Sequence, residues 1–441
     1  MHFITDKQTL LDLNLTGKYK AGSMFNLFDR VKTRGGEVLL EDMFRSPLTN
    51  AAAINKRTSA IKYLGDMDIS FIVHRDAVEN ASQYLNEGRS GNLLSGILIC
   101  FKEKIQEQLY RSQKFQILQG HIQSVQEVLQ AANNLLQQLI SQGRYENPCL
   151  GMQNKLYNII NNPTIKKFTT KRPSTVYQTA QCDYLFRNKF KHELEELLRI
   201  LYEFDVYFSV AEVAASKGLT YAYAREEDKN AAVLIEAKNL KHPALRKAVG
   251  NDVSLNKKEN LLFLTGANMA GKSTWMKTLG VSLYLAHMGF PVAADMMRFS
   301  VMEGMFTSIN VPDDISIGWS HFYAEVMRVK LVAAEVSQGK KLFVLFDELF
   351  KGTNVKDAYD ATLAITQRFS KYRKCAFVIS THITEVGDAL MDSLNIQFRY
   401  MPTVMKGVVP HYTYVLTPGI TTDRQGMIII RNEKILELLM G

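Results

Sequence analysis

A wholly apolar run, Leu261-Leu262-Phe263-Leu264-Thr265, feeds directly into Gly266-Ala267-Asn268-Met269-Ala270-Gly271-Lys272-Ser273-Thr274, and a helical segment continues through Leu285. No other feature narrows the fold as far. The spacing G-x-x-x-x-G-K-S is a phosphate-binding loop when a buried strand enters it and a helix leaves it. Its glycines let backbone N–H groups turn inward around phosphate oxygens, and the helix N-terminus adds partial positive charge. Lys272 is then placed to reach β- and γ-phosphates, and the Ser273 hydroxyl to ligate Mg²⁺.

Two further apolar strands repeat the pattern. Leu342-Phe343-Val344-Leu345-Phe346 ends in Asp347-Glu348, and Ala376-Phe377-Val378-Ile379-Ser380 ends in Thr381-His382. A carboxylate at the first of these ends can hold Mg²⁺ through water, and the next can orient or deprotonate an attacking water. Open α/β sheets bind ligands beyond their strand C-termini, so Lys272, Glu348 and His382 are expected at one crevice. Between the first two strands lies Asp313-Asp314-Ile315-Ser316-Ile317-Gly318-Trp319-Ser320-His321-Phe322-Tyr323-Ala324-Glu325. Ser320 is placed as the N-cap of a helix carrying Phe322, Val326, Val329, Ala333 and Val336 on one stripe. Its hydroxyl either caps that helix or meets a phosphate on another subunit.

The N-terminal half reads differently. From about Phe101 to Gln142 there is no proline and one glycine, Gly120, while Ile122, Val125, Leu129, Ala132, Leu136 and Leu139 or Ile140 recur at helical spacing. A second run over about 185–216 has Leu185, Phe190, Leu194, Leu197, Leu198, Leu201 and Phe204 on its stripe. Two long helices joined by a broken basic segment form an arm or a plain bundle. The character changes near residue 225, where short apolar runs begin to alternate with helices, as in an α/β domain.

Hydrophobic residues make up 46% and charged residues 22% of the 441, which excludes a disordered or collagen-like chain. Cys100, Cys149, Cys182 and Cys375 are widely spaced, which argues against a disulfide scaffold or a cysteine zinc site. The opening residues carry no secretory pattern, and no stretch approaches the ~20 apolar residues of a membrane span. A soluble, cytoplasmic protein with no membrane partner is expected. Net charge is +9. Much of it lies in 155–191, where Lys155, Lys166, Lys167, Lys171, Arg172, Arg187, Lys189 and Lys191 face a single acid, Asp183. That block is either a phosphate-contacting surface or a solvated face.

Together these motifs resemble those of the MutS DNA mismatch-repair ATPases, within the wider ABC-type ATPase class. Gly266-Ala-Asn-Met-Ala-Gly-Lys-Ser-Thr274 resembles the family's G-P-N-M-x-G-K-S-T. Asp347-Glu348-Leu-Phe-Lys-Gly352-Thr353-Asn354 resembles D-E-x-x-x-G-T-[ST], Ser380-Thr381-His382 resembles A-T-H, and Gly318-Trp319-Ser320-His321-Phe322 with Glu325 resembles S-G-x-S-x-F-x-x-E. Glu203-Phe204-Asp205-Val206-Tyr207-Phe208-Ser209-Val210-Ala211 is similar to the L-D-V-L-x-x-x-A that ends the family's lever helices. Thr33-Arg34-Gly35-Gly36 with Leu39-Leu40 resembles the start of its core domain.

The resemblance implies an α + α/β chain: an all-helical core/lever domain at 1–225, then an ABC-type P-loop ATPase domain at 226–441. The long arms would run about 101–142 and 185–216, with a shortened tip at 143–182. It implies ATP with Mg²⁺, held by Gly266, Asn268, Gly271, Lys272, Ser273 and Thr274, with Ser273 and Asp347 toward the metal. Glu348 and His382 would be catalytic, and Ser320 would reach the nucleotide of a partner protomer. It further implies a homodimer paired through its ATPase domains, lever arms gated around duplex or branched DNA, and Lys166, Lys167, Lys171, Arg172 and Lys189 as DNA contacts.

Departures from the family qualify this. By this resemblance the sequence is expected to open at the core domain, without the mismatch-reading and connector domains, and to stop before most of the family's C-terminal helix-turn-helix. Ala248 takes the place of an aromatic that stacks on adenine, with Tyr414 as a substitute. A rival reading is a nucleotide-gated scaffold recognising structured RNA or a protein assembly, without mismatch readout.

Overall fold

The computed structural model describes residues 2–17, 22–87, 91–143, 146–169, 172–226, 233–309, 321–406, 409–421 and 438. The chain forms two compact units. One comprises Phe28–Met43 and Ser59–Ala215; the other comprises Met1–Leu27, Phe44–Thr58 and Ser216–Gly441. In place of one cut near 225, two early segments group with the C-terminal part.

The first unit holds helices and no strand among its described residues. The expected continuous helix over 101–142 is two helices, Leu93–Tyr110 and Lys114–Ser141. Arg111 ends the first in the left-handed region at φ 54°, its N–H bonded to the Gln106 carbonyl. The two helices pack chiefly on different neighbours: Leu93–Tyr110 on Val176–Tyr184, and Lys114–Ser141 on Arg75–Asn86. The stretch between the two long helices holds Leu150–Ile160, Pro163–Thr169 and Val176–Tyr184, the last opened by a capping box between Thr175 and Gln178.

The second expected arm helix is a π-helical turn, Leu185–Lys189, followed by the helix Lys191–Lys217. Its stripe from Leu185 to Phe204 is buried as the periodicity requires. One step further, the buried Asp205 carboxylate accepts from the backbone N–H groups of Lys32 (2.9 Å) and Thr33 (2.8 Å) and from the Thr33 hydroxyl (2.6 Å). It thereby anchors the start of the helix Arg34–Arg45.

On the Lys114–Ser141 helix, Gln138 accepts from the Ser70 N–H at 3.0 Å and donates to the Ser70 carbonyl at 3.3 Å. Gln142 does the same for Asp68, at 3.0 and 2.6 Å. These side-chain amides hold an extended stretch that lacks a strand partner.

The second unit is built on a six-stranded sheet: β1 (Leu261–Gly266), β2 (Gly304–Ser308), β3 (Leu342–Asp347), β4 (Ala376–Ser380), β5 (Ile396–Met401) and β6 (Thr417–Pro418). Their order is β6-β5-β1-β4-β3-β2, all parallel except β6. β1, β3 and β4 are near-continuous apolar runs, buried along their length because both faces are covered. Helices α1 (Lys272–His287), α2 (His321–Ser337), α3 (Val355–Phe369) and α4 (Thr384–Leu390) follow strands, as crossovers of a parallel sheet must. Val332 and Val336 of α2, Phe369 of α3 and Leu390 of α4 pack with Phe263, Phe346 and Phe377 in one cluster.

The early segments complete this unit. Asp12 accepts from the Thr307 hydroxyl at 2.7 Å and the Ile309 N–H at 2.9 Å, and Arg328 forks onto Asp6. Tyr284 donates to the Phe44 carbonyl at 2.6 Å. His287 is fully buried against Phe3 and Phe299; its Nδ1 lies 3.0 Å from the Leu48 carbonyl, and its Nε2 accepts from the Met302 N–H. Among the described residues no helix is long and apolar enough to cross a membrane.

Candidate functional site

Strand register decides which side chains can meet. Ser380 of β4 lies opposite Leu264 of β1 on one side and Asp347 of β3 on the other, and Met401 of β5 lies opposite Gly266. The C-terminal ends of β1, β3 and β4 therefore open on one edge of the sheet. The glycine-rich turn leaves β1 there, Asp347-Glu348 end β3, and Thr381-His382 follow β4.

The turn needs its glycines for stated reasons. Gly266 has φ 145° and Gly271 φ 100°, backbone that a side chain rarely adopts. A Cβ on Gly271 would also lie 2.8 Å from Cδ1 of Tyr414. Met269 takes φ 69° without being a glycine. Lys272 opens α1, and its ammonium donates to the carbonyls of Gly266 (2.7 Å) and Ala267 (3.1 Å). Three donors on an ammonium minus these two leave one for a ligand. Burial pulls the Lys272 pKa below its ordinary value, while the carboxylates of Glu348 and Asp347 push it back up. Strand register brings this buried cation and the two carboxylates to the same edge of the sheet.

Asp347 accepts from the Ser380 hydroxyl, and the Glu348 N–H donates to the Ser380 carbonyl at 3.0 Å. Glu348 itself is held at φ 53°. Asn268, Ser273 and Thr274 are exposed around the turn, and His382 is exposed beyond β4. Ser320 lies outside the described residues. Among those described, no cluster of three metal-ligating side chains of the His, Cys, Asp and Glu type occurs. One serine hydroxyl and one strand-end carboxylate fit a cation that keeps most of its waters and leans on phosphate oxygens, as Mg²⁺ does.

Beside the turn lies a cavity of about 340 Å³, whose lining includes Leu240, Ala248, Gly271, Thr274, Trp275 and Tyr414. The aromatic side chains lining this cavity are Trp275 and Tyr414. What sequence reasoning missed is how Tyr414 is fixed. Asn251 donates to the Tyr414 carbonyl at 3.0 Å and accepts from the Leu416 N–H at 2.6 Å, holding Tyr414 at φ 57°. No local signal links residues so far apart in sequence.

The basic block is less open than its composition implies. Lys155 pairs with Glu196 at 2.7 Å, Lys191 with Glu195 at 3.6 Å, and Arg187 is buried against Asp183 with its guanidinium over the Tyr84 ring. Lys166, Lys167, Arg172 and Lys189 are exposed, and Lys171 lies outside the described residues.

Comparison with known proteins gives two family matches: residues 262–437 match MutS domain V, and residues 8–211 match MutS domain III. The chain is similar to the DNA mismatch repair protein MutS of Petrotoga mobilis, with 30% identity over 203 residues, 45% of this chain and 24% of that protein. It is 28% identical over 202 residues to MutS of Clostridioides difficile (44% and 21%) and 32% identical over 171 residues to MutS of Fusobacterium nucleatum (37% and 19%). Each alignment thus spans less than a quarter of the relative's length.

Proposed function

The chain belongs to the MutS family, and from that premise we propose that it is an ATPase of the ABC type that couples nucleotide turnover to DNA binding in mismatch repair or recombination control. The observation that carries this reading is the opening, at one edge of the sheet, of the glycine-rich turn with its buried lysine and of the strand that ends in Asp347-Glu348. ATP is the ligand, and bound Mg²⁺ supplies neutralisation of charge on its phosphate oxygens.

Lys272 directs its remaining N–H at the terminal phosphates, and the backbone of Gly266, Asn268 and Gly271 lines their cradle. Ser273 and Asp347 hold the metal, with Ser380 orienting the Asp347 carboxylate. Glu348 takes the proton of the attacking water, and exposed His382 contacts the γ-phosphate side. Thr274 and Tyr414 border the base, Tyr414 giving the stacking face that Ala248 lacks. Ser320 acts on the nucleotide of a second protomer, so the working form is a homodimer paired through these domains. Lys166, Lys167, Lys171, Arg172 and Lys189 contact DNA phosphates at the tip of the helical unit.

Turnover of Glu348→Gln tests the core of this reading. The variant is expected to bind ATP as the parent does and to hydrolyse it roughly 10²–10⁴-fold more slowly, the usual contribution of a general base. Unchanged turnover would remove Glu348 from its role. Competition among homoduplex, G·T mismatch, four-way junction and structured RNA at matched salt, with ADP and with ATP, tests the partner. A preference for RNA over every DNA would overturn the repair reading.

A further inference from the structure

The two amide rungs, from Gln138 on the Lys114–Ser141 helix and from its C-cap Gln142, follow a rule that predicts a third. Each rung gives a main-chain residue the same pair of bonds that a neighbouring β-strand would give it. Gln142 and Gln138 are four residues apart, about 6.0 Å along a helix. Asp68 and Ser70 are two apart, about 6.6–6.8 Å along extended chain. The intervening side of that chain faces away, and the Phe71 carbonyl is taken by the Lys32 ammonium at 2.6 Å. The next rung should therefore join Asn134 to Ile72.

It does not form. Asparagine is one methylene shorter than glutamine, and among the described residues neither the Asn134 side-chain amide nor the Ile72 peptide has a hydrogen-bond partner. Where the rung is missing, a cavity of about 630 Å³ opens, its lining including Ile72, His74, Glu127, Asn134 and Gln137. Asn134 and Gln137 are exposed, and Ile72 is 69% exposed. The volume lies within the range of clefts that take small ligands.

We propose that this groove binds an extended peptide segment of a partner protein. The Asn134 amide takes the N–H and C=O of one peptide residue, as Gln138 takes those of Ser70. The Ile72 peptide is available to a residue of opposite facing, since alternate residues of an extended chain point to opposite sides. A helical peptide cannot bind this way, because its main-chain groups are already paired. Glu127 is the one acid in the lining, so the segment carries Lys or Arg at that end. The groove belongs wholly to the helical unit, and the proposal stands apart from the nucleotide site.

The test is panning of the full-length chain against phage displaying short random peptides, followed by fluorescence anisotropy on the enriched sequences. Enriched peptides are expected to contain Lys or Arg and to bind Asn134→Leu at least about tenfold more weakly, the worth of roughly one bidentate contact. Asn134→Asp keeps the acceptor and loses the donor, so it should fall between the two. Glu127→Gln should weaken binding and flatten its salt dependence. Melting curves of the variants separate lost binding from lost fold. Failure to enrich any peptide, or equal binding to the parent and to folded Asn134→Leu, would overturn the proposal.

Discussion

Glu348 and Phe350 hold left-handed backbone without being glycine, at φ 53° and 61°. Such a conformation costs an ordinary residue on the order of 1 kcal/mol or more, and it persists where the surroundings over-determine it. At Glu348 the determinant is the N–H bond to the Ser380 carbonyl, which aims the side chain from the end of β3. Replacing it by asparagine, which tolerates this region, should leave urea stability equal or up to about 1 kcal/mol higher. ATP turnover should nevertheless collapse, and a loss of stability in step with activity would show the backbone to be unstrained. Gly271 has a double reason to be glycine: its φ of 100° and the Tyr414 ring against it. Gly271→Ala should destabilise by roughly 1–3 kcal/mol. Adding Tyr414→Ala should recover the steric part and leave the backbone part, a coupling readable in a double-mutant cycle by denaturation. The sequence alone yields Gly271 as part of a phosphate cradle, because spacing encodes it. The ring above it and the Asn251 clasp on Tyr414 depend on contacts across more than a hundred residues, which no local pattern carries.

His287 gives α1 a pH response. Burial lowers its pKa from 6.5 to about 4, against the opposing bond to the Leu48 carbonyl. The unfolded chain therefore binds a proton that the fold refuses. Stability is full above pH 6.5 and is lost as pH falls toward 4, by on the order of 3 kcal/mol if the whole shift is realised. His242, lowered by burial and by Lys277, adds with the same sign. Urea melts at pH 6.5 and 5 should show this slope, and His287→Gln, which keeps a donor and an acceptor, should flatten it. The apolar strands β1, β3 and β4 and the stripe on Lys191–Lys217 were legible because burial and period are local properties. The break at 111–113 was not. Arg-Ser-Gln contains no glycine or proline, and helix propensity allows it to continue. The turn falls where the chain passes between two helices that pack chiefly on different neighbours, with Arg111 taking the left-handed cap between them.

Two compact units with separate cores imply two unfolding transitions. In scanning calorimetry, ATP with Mg²⁺ at about 100 times Kd should raise only the transition of the unit that holds the phosphate turn, by about 2.7 kcal/mol. Asp205→Ala, which strands three donors at Lys32 and Thr33, should lower only the other, by roughly 1–3 kcal/mol. A single transition moved by both would show one cooperative whole. The sequence placed the boundary at 225 because composition changes there. Membership of Met1–Leu27 and Phe44–Thr58 in the later unit rests on pairings such as Asp12 with Ile309 and Asp6 with Arg328, 297 and 322 residues apart. Those separations are also intervals of time. At a synthesis rate of about 5–20 residues per second, Asp6 waits roughly 15–65 s for Arg328 to be made. For that whole interval Phe3, Leu13 and Leu15, each at most 1% exposed in the finished fold, have no finished sheet to cover them. Residues made early in this stretch are thus among the last to find their place, and in that interval their apolar side chains are open to capture by a chaperone.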